Sequence, residues 1–135
     1  MRGIQDLEFP DDVRYAEDHE WAKPAGDRIR VGISDFAQDQ LGDITYVELP
    51  EVGDAFEKDQ EFGTVESTKA VSDLKMPVGG EVVAVNAVLE DSPDLVNRDP
   101  YRDGWMIEVL PANPDEMDSL MNRDVYLEKL KNLEE

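Results

Sequence analysis

The feature that most limits the fold is a succession of short runs rich in β-branched residues, each closed within a few positions by turn-forming chemistry. In Arg28-Ile29-Arg30-Val31-Gly32-Ile33, the residues Ile29, Val31 and Ile33 recur at period two, as a half-buried strand requires. Strand character returns in Ile44-Thr45-Tyr46-Val47-Glu48-Leu49, in Glu61 to Glu66, in Val71 to Leu74 and in Glu81 to Val85. A last strand is read from the alternation of Trp105, Ile107 and Val109. Pro50-Glu51-Val52-Gly53-Asp54 and Pro77-Val78-Gly79-Gly80 punctuate these runs as turns. Many short strands with turns between them predict a mainly β sandwich or barrel.

Helical signals are few. Ser34 reads as an N-cap, Asp35 sits in the first turn, Phe36, Ala37 and Leu41 form a stripe, and Gly42 stands where a C-terminal cap belongs, which predicts a short helix near 35–41. Glu90 to Asp103 is polar and contains proline, and reads as a loop of about 14 residues. Beyond it, Asn113 can cap a helix with Pro114 at its first position and Met117, Leu120 and Met121 on one face. A second C-terminal helix carries Leu127 and Leu130. No internal repeat or low-complexity linker divides the 135 residues, so one domain is expected.

The composition narrows the function classes. Hydrophobic residues make up 40% of the chain, enough for a folded core, but 33 acidic residues against 13 basic ones leave a net charge of −20. That field argues against a nucleic-acid ligand and favours encounter with basic protein surfaces. No stretch approaches the roughly 20 apolar residues of a membrane span, and Met1 to Asp6 lacks the apolar region of a secretory signal, so no membrane association and a cytoplasmic location are expected. A mitochondrial matrix protein already trimmed of its transit peptide would read the same way. With no cysteine and a single histidine, His19, the chain has neither thiol chemistry nor a metal-ligand set. His19 beside Trp21 reads as structural; Trp21 and Trp105 read as packing, and the C-terminal methionines as core filler. No catalytic residue emerges: two carboxylates could form an acid/base pair, so an enzyme stays open, but with 33 acidic residues along the chain proximity in sequence selects none.

One of the six lysines, Lys69, lies in Glu66-Ser67-Thr68-Lys69-Ala70-Val71-Ser72-Asp73, between two strand-like runs and among small residues. A lysine at such a hairpin tip can present its amine to a modifying enzyme. By composition alone, however, a lysine on a turn is a solvated lysine, and the turn lacks the Asn-Gly or Gly-Gly of a tight hairpin.

The wider context is more specific. Val52-Gly53-Asp54, Lys58, Gln60, Val65-Glu66 and Lys69 resemble the biotinyl/lipoyl-attachment fold, in which a lysine sits on an exposed β-turn. Biotin carriers flank that lysine with methionine, whereas Thr68 and Ala70 stand here. Further blocks resemble the glycine cleavage H protein in order and spacing: Tyr15 with His19-Glu20-Trp21, Val31-Gly32-Ile33, Ala37-Gln38-Asp39 and Leu41-Gly42-Asp43. Downstream, Val47-Glu48-Leu49-Pro50, Gly63 with Val65-Glu66-Ser67, Lys69-Ala70 with Ser72-Asp73, Gly80-Glu81-Val82, Val85-Asn86, and Tyr101 with Asp103-Gly104-Trp105-Met106 continue the match. The resemblance runs from about residue 7 to about 130 without large gaps.

The resemblance implies a single lipoyl-type barrel-sandwich domain over 1–135, with its core at about 15–110 and a C-terminal helical segment at about 114–133. It implies lipoate joined covalently to Lys69 as an amide, and an acidic cleft for the loaded arm at Glu20 and Asp73. As implied partners it brings glycine decarboxylase, the tetrahydrofolate-dependent aminomethyltransferase, dihydrolipoamide dehydrogenase and the enzyme that attaches lipoate. The carrier would shuttle an aminomethyl group from the first to the second, and then electrons to the third, as a monomer. The alternative within the same family is an H-like protein that relays lipoate to other enzymes. The chain departs from the family pattern at Lys75-Met76-Pro77 and Gly79, where small polar residues are common, and at Asp18 and Gln40. Lys75 thereby places a second amine near Lys69.

Overall fold

The alternating runs pair into two antiparallel sheets. The structure, a computed structural model, describes residues 6–134. Met1 to Gln5, most of the segment read above for a secretory signal, lie outside the described residues. The strands are β1 (Arg14–Tyr15), β2 (Glu20–Ala25), β3 (Arg28–Ile33), β4 (Ile44–Glu48), β5 (Ala55–Phe56), β6 (Glu61–Ser67), β7 (Val71–Lys75), β8 (Gly80–Val85) and β9 (Ile107–Pro111). One sheet runs β1-β2-β3-β9-β8-β5, and the other β4-β6-β7. Their inward residues meet in a single core: Ile29, Val31 and Val109 from the first, with Val47, Phe62, Val65 and Leu74 from the second, are each at most 5% exposed. This is the expected mainly β sandwich, stabilised by removal of apolar surface from water.

Helix α1 spans Asp35–Leu41, where the capping signals place it. Ser34 Oγ accepts from Ala37 N at 3.2 Å, and the N–H of Gly42 closes the last turn on Gln38 O at 2.9 Å. A second, aromatic cluster joins Phe9, Tyr15, Trp21 and Tyr101 to Tyr126 and Leu130 of the C-terminal helix α4 (Arg123–Glu134). There the rings of Tyr15 and Tyr126 stack at 4.3 Å. Trp21 is fully buried and donates its indole N–H to Pro100 O at 3.0 Å, and Trp105 packs under the Arg30 guanidinium.

Three expectations need correction. The stretch from Glu90 to Asp103 is not a plain loop: it completes α2 (Val88–Asp91) and contains α3 (Leu95–Arg98). Each is a single turn anchored by one buried residue, Leu89 or Val96, and one anchor per turn leaves no periodicity for a sequence reading to detect. The segment after Asn113 is a 3₁₀ helix, Pro114–Ser119, because Leu120 turns extended and Met121 exchanges both backbone hydrogen bonds with Tyr15 at 2.8 Å. Finally, the sequence reading left β2 unassigned. Its proline, Pro24, lies in an exposed stretch beside the β2–β3 turn, where a lost donor costs little.

The unexpected α3 ties the sheet to the helix. From it Asn97 donates through Nδ2 to Gln38 Oε1 and Gly42 O, both at 2.9 Å, and accepts from Ile44 N at 2.8 Å. One amide thus fixes the end of α1 and the start of β4. Asn97→Ala is expected to cost about 2–3 kcal/mol in urea unfolding, since it strands three polar groups. Asn97→Asp should not restore stability, because it sets a carboxylate against two acceptor oxygens. Recovery to wild-type stability with Asp would contradict this account.

Candidate functional site

The β6–β7 hairpin turns over Thr68 and Lys69, with Ser67 N donating to Ala70 O at 2.8 Å. A two-residue connection usually needs positive φ, yet among the described non-glycine residues only His19 and Asp59 have it. Ser67 supplies the substitute: its Oγ accepts from Lys69 N at 3.2 Å and Ala70 N at 3.1 Å, a side-chain mimic of turn hydrogen bonding. Thr68 N then donates to Asp43 O at 3.1 Å, which staples the tip to the junction of α1 and β4. Thr68, Lys69 and Ala70 are all exposed.

Under the lysine lies Gly42. A Cβ built there would stand 2.9 Å from Lys69 Cε, and the glycine's φ of +80° is one that other residues adopt only with strain. The lysine stem therefore runs over a bare stretch of backbone, itself held by Asn97.

Along β7 the side chains of Val71, Asp73 and Lys75 point outward, while Leu74 faces the core. Asp73 is exposed, and its carboxylate beside Glu61 is the chief cause that holds the Glu61 carboxyl above the usual carboxylate range. Glu20 lies elsewhere. At the first position of β2 it is only 2% exposed, and its Oε2 accepts from Lys75 N at 3.3 Å. Loss of solvation pushes the Glu20 carboxyl up to about 8, against the pull of the Lys75 N–H. Glu20 thus meets the last residue of β7 from inside, while Asp73, in the middle of the same strand, faces outward. Lys75 and Asp18 also line a neighbouring cleft of about 490 Å³, together with Lys58, Asp59 and Met121.

Residues 13–133 match the glycine cleavage H-protein family. The chain belongs to that family. It is 60% identical over 120 residues to a probable glycine cleavage system H protein of Natronomonas pharaonis, covering 89% of this chain and 94% of the relative. The glycine cleavage system H protein of Bacillus licheniformis is 52% identical over 125 residues, 93% of this chain and 98% of that one. The crystal structure of a glycine cleavage system H protein from Mycobacterium marinum superposes with a TM-score of 0.83 at 38% identity, covering 91% of this chain and 99% of the other.

Within this H-protein frame His19 has a structural role. Its Nδ1 lies 2.9 Å from the Tyr126 hydroxyl, which in turn contacts Ser34 Oγ at 2.7 Å, and desolvation lowers its pKa. The supporting residues Gly42, Ser67, Glu61 and Asn97 were not singled out from the sequence as parts of the site. Gly42 carried a signal, but only as a helix cap; Ser67 three residues before Ala70 was the readable clue to the turn.

The buried acid gives a prediction. An unfolded glutamate loses its proton near 4.5 and the folded Glu20 near 8, so between these values the native state binds more protons. This group's contribution to stability therefore falls as pH rises, by about 1.4 kcal/mol per unit. Glu20→Gln keeps an acceptor for Lys75 N and should gain on the wild type steadily from about pH 5 to about pH 8 in urea midpoints. Parallel curves for the two proteins would refute the assignment.

Proposed function

We propose that the chain is the lipoyl-bearing carrier of the glycine cleavage system, a single non-catalytic domain with lipoate attached to Lys69. The observation that carries the reading is an exposed lysine at the tip of a hairpin braced by Ser67 Oγ and by the Thr68–Asp43 hydrogen bond. The residues fit the group: the lysine stem lies over Gly42, in a place that any Cβ would fill, and the small neighbours Ser67, Thr68 and Ala70 leave room around the amine. When bound, a lipoyl group supplies the disulfide–dithiol couple that a chain without cysteine lacks.

The remaining work falls to binding and shielding. Asp73 offers an exposed carboxylate on the face leading away from the tip, and Glu20 a buried one. An approaching ammonium stabilises the ionised form of a buried acid, so Glu20 takes on charge when a cation joins it. In this reading the carrier accepts an aminomethyl group from glycine decarboxylase, delivers it to the tetrahydrofolate-dependent aminomethyltransferase, and is reoxidised by dihydrolipoamide dehydrogenase. It acts as a cytoplasmic monomer; among the described residues no helix is long and apolar enough to cross a membrane.

Protein produced with lipoate available should gain one lipoyl mass, located on Lys69 by peptide analysis. Lys69→Arg should gain none, and glycine decarboxylation reconstituted with it should fall to background. Acylation of Lys75 instead, or turnover surviving Lys69→Arg, would overturn the proposal.

A further inference from the structure

The outer face of the three-stranded sheet carries a second message. Pairing aligns Tyr46, Glu66 and Val71 in the row nearest the Lys69 turn, then Glu48, Thr64 and Asp73, then Glu61 and Lys75. Paired residues share a face, so this surface is continuous from the turn to the far end of the hairpin. Its first row exposes two large apolar side chains, Tyr46 at 47% and Val71 at 66%. Glu48, Glu61 and Asp73 are also exposed, and Glu66 half so. A small apolar centre beside carboxylates, on the strands that present the lysine, has the make-up of a protein interface.

Resting on the reading of Lys69 as the modified residue, we propose that this face docks the enzyme that acylates Lys69, a partner with an apolar centre and a basic rim. Proximity selects it among the partners. Enzymes acting on the far end of a long arm need not approach its anchor. The acylating enzyme must bring an activated acyl carbon, held as a mixed anhydride with phosphate, to Nζ itself. There the ammonium gives up a proton, the amine forms the C–N bond, the acyl C–O bond breaks and the phosphate group departs with its electron pair. A footprint two residues from the lysine, spanning all three strands, holds Nζ in place for that attack. The acidic rim matches a basic partner and speeds encounter in a salt-dependent way.

The test measures the rate at which a purified lipoate-attaching enzyme, given activated lipoate, adds mass to Lys69 of the full chain at varied acceptor and salt concentrations. Glu48→Lys should lower kcat/KM about 10-fold or more near 0.1 M salt, and the gap should close toward 1 M as the screening length shortens. Tyr46→Ala should lower it about 5-fold at every salt concentration, as lost contact does. Glu128→Lys, the same charge change at an exposed position of α4, should match the wild type. Once acylated, the Tyr46 and Glu48 variants should support glycine decarboxylation at the wild-type rate. Acylation rates for Glu48→Lys and Tyr46→Ala equal to that of Glu128→Lys would overturn the proposal, as would unchanged acylation with impaired decarboxylation. If the wild type itself is never acylated at Lys69, the carrier reading falls first and the docking face with it.

Discussion

The amide of Asn97 is the interaction on which the geometry around Lys69 rests. It is shared among Gln38 in the middle of α1, the carbonyl of Gly42 that caps the helix, and the first N–H of β4. Gly42 is the surface beneath the lysine stem, and the adjoining Asp43 carbonyl holds the turn through Thr68. A single-turn helix far away in sequence therefore sets the platform on which a hairpin tip stands. Such rigidity suits a covalent arm, because swing belongs in the arm and not in its mount.

Much of this was legible beforehand. Period-two alternation located most strands, and cap chemistry placed α1 at 35–41, because both signals are local. The lysine turn was legible only through the Glu66-Ser67-x-Lys69-Ala70 context; its φ values defied the expected hairpin chemistry, and Ser67 Oγ supplied the difference. What stayed hidden depended on distant partners. Asn97 looks like one more polar residue in an acidic stretch, and nothing beside Glu20 in sequence announces that β2 carries it into the interior. The 3₁₀ geometry after Asn113 likewise follows from Met121 pairing with Tyr15, more than a hundred residues away.

The charge of the chain is also arranged by place. Most carboxylates are solvated, whereas Glu20 is buried and held as the neutral acid near neutrality. On the surface, the neighbouring Asp73 raises the Glu61 carboxyl. Carboxyl groups therefore stand both as a solvated surface and as a buried neutral acid, with burial and neighbours deciding which.

The hydrogen bond from Lys75 to Glu20 has a consequence for self-assembly. β7 is an edge of its sheet, and an exposed edge is a template for strand addition by other molecules. Here one of the edge donors is already occupied by a carboxyl from within the chain, while Asp73 and Lys75 place polar side chains along the same strand. That contact leaves the open side of the hairpin with one fewer free donor for pairing with another strand.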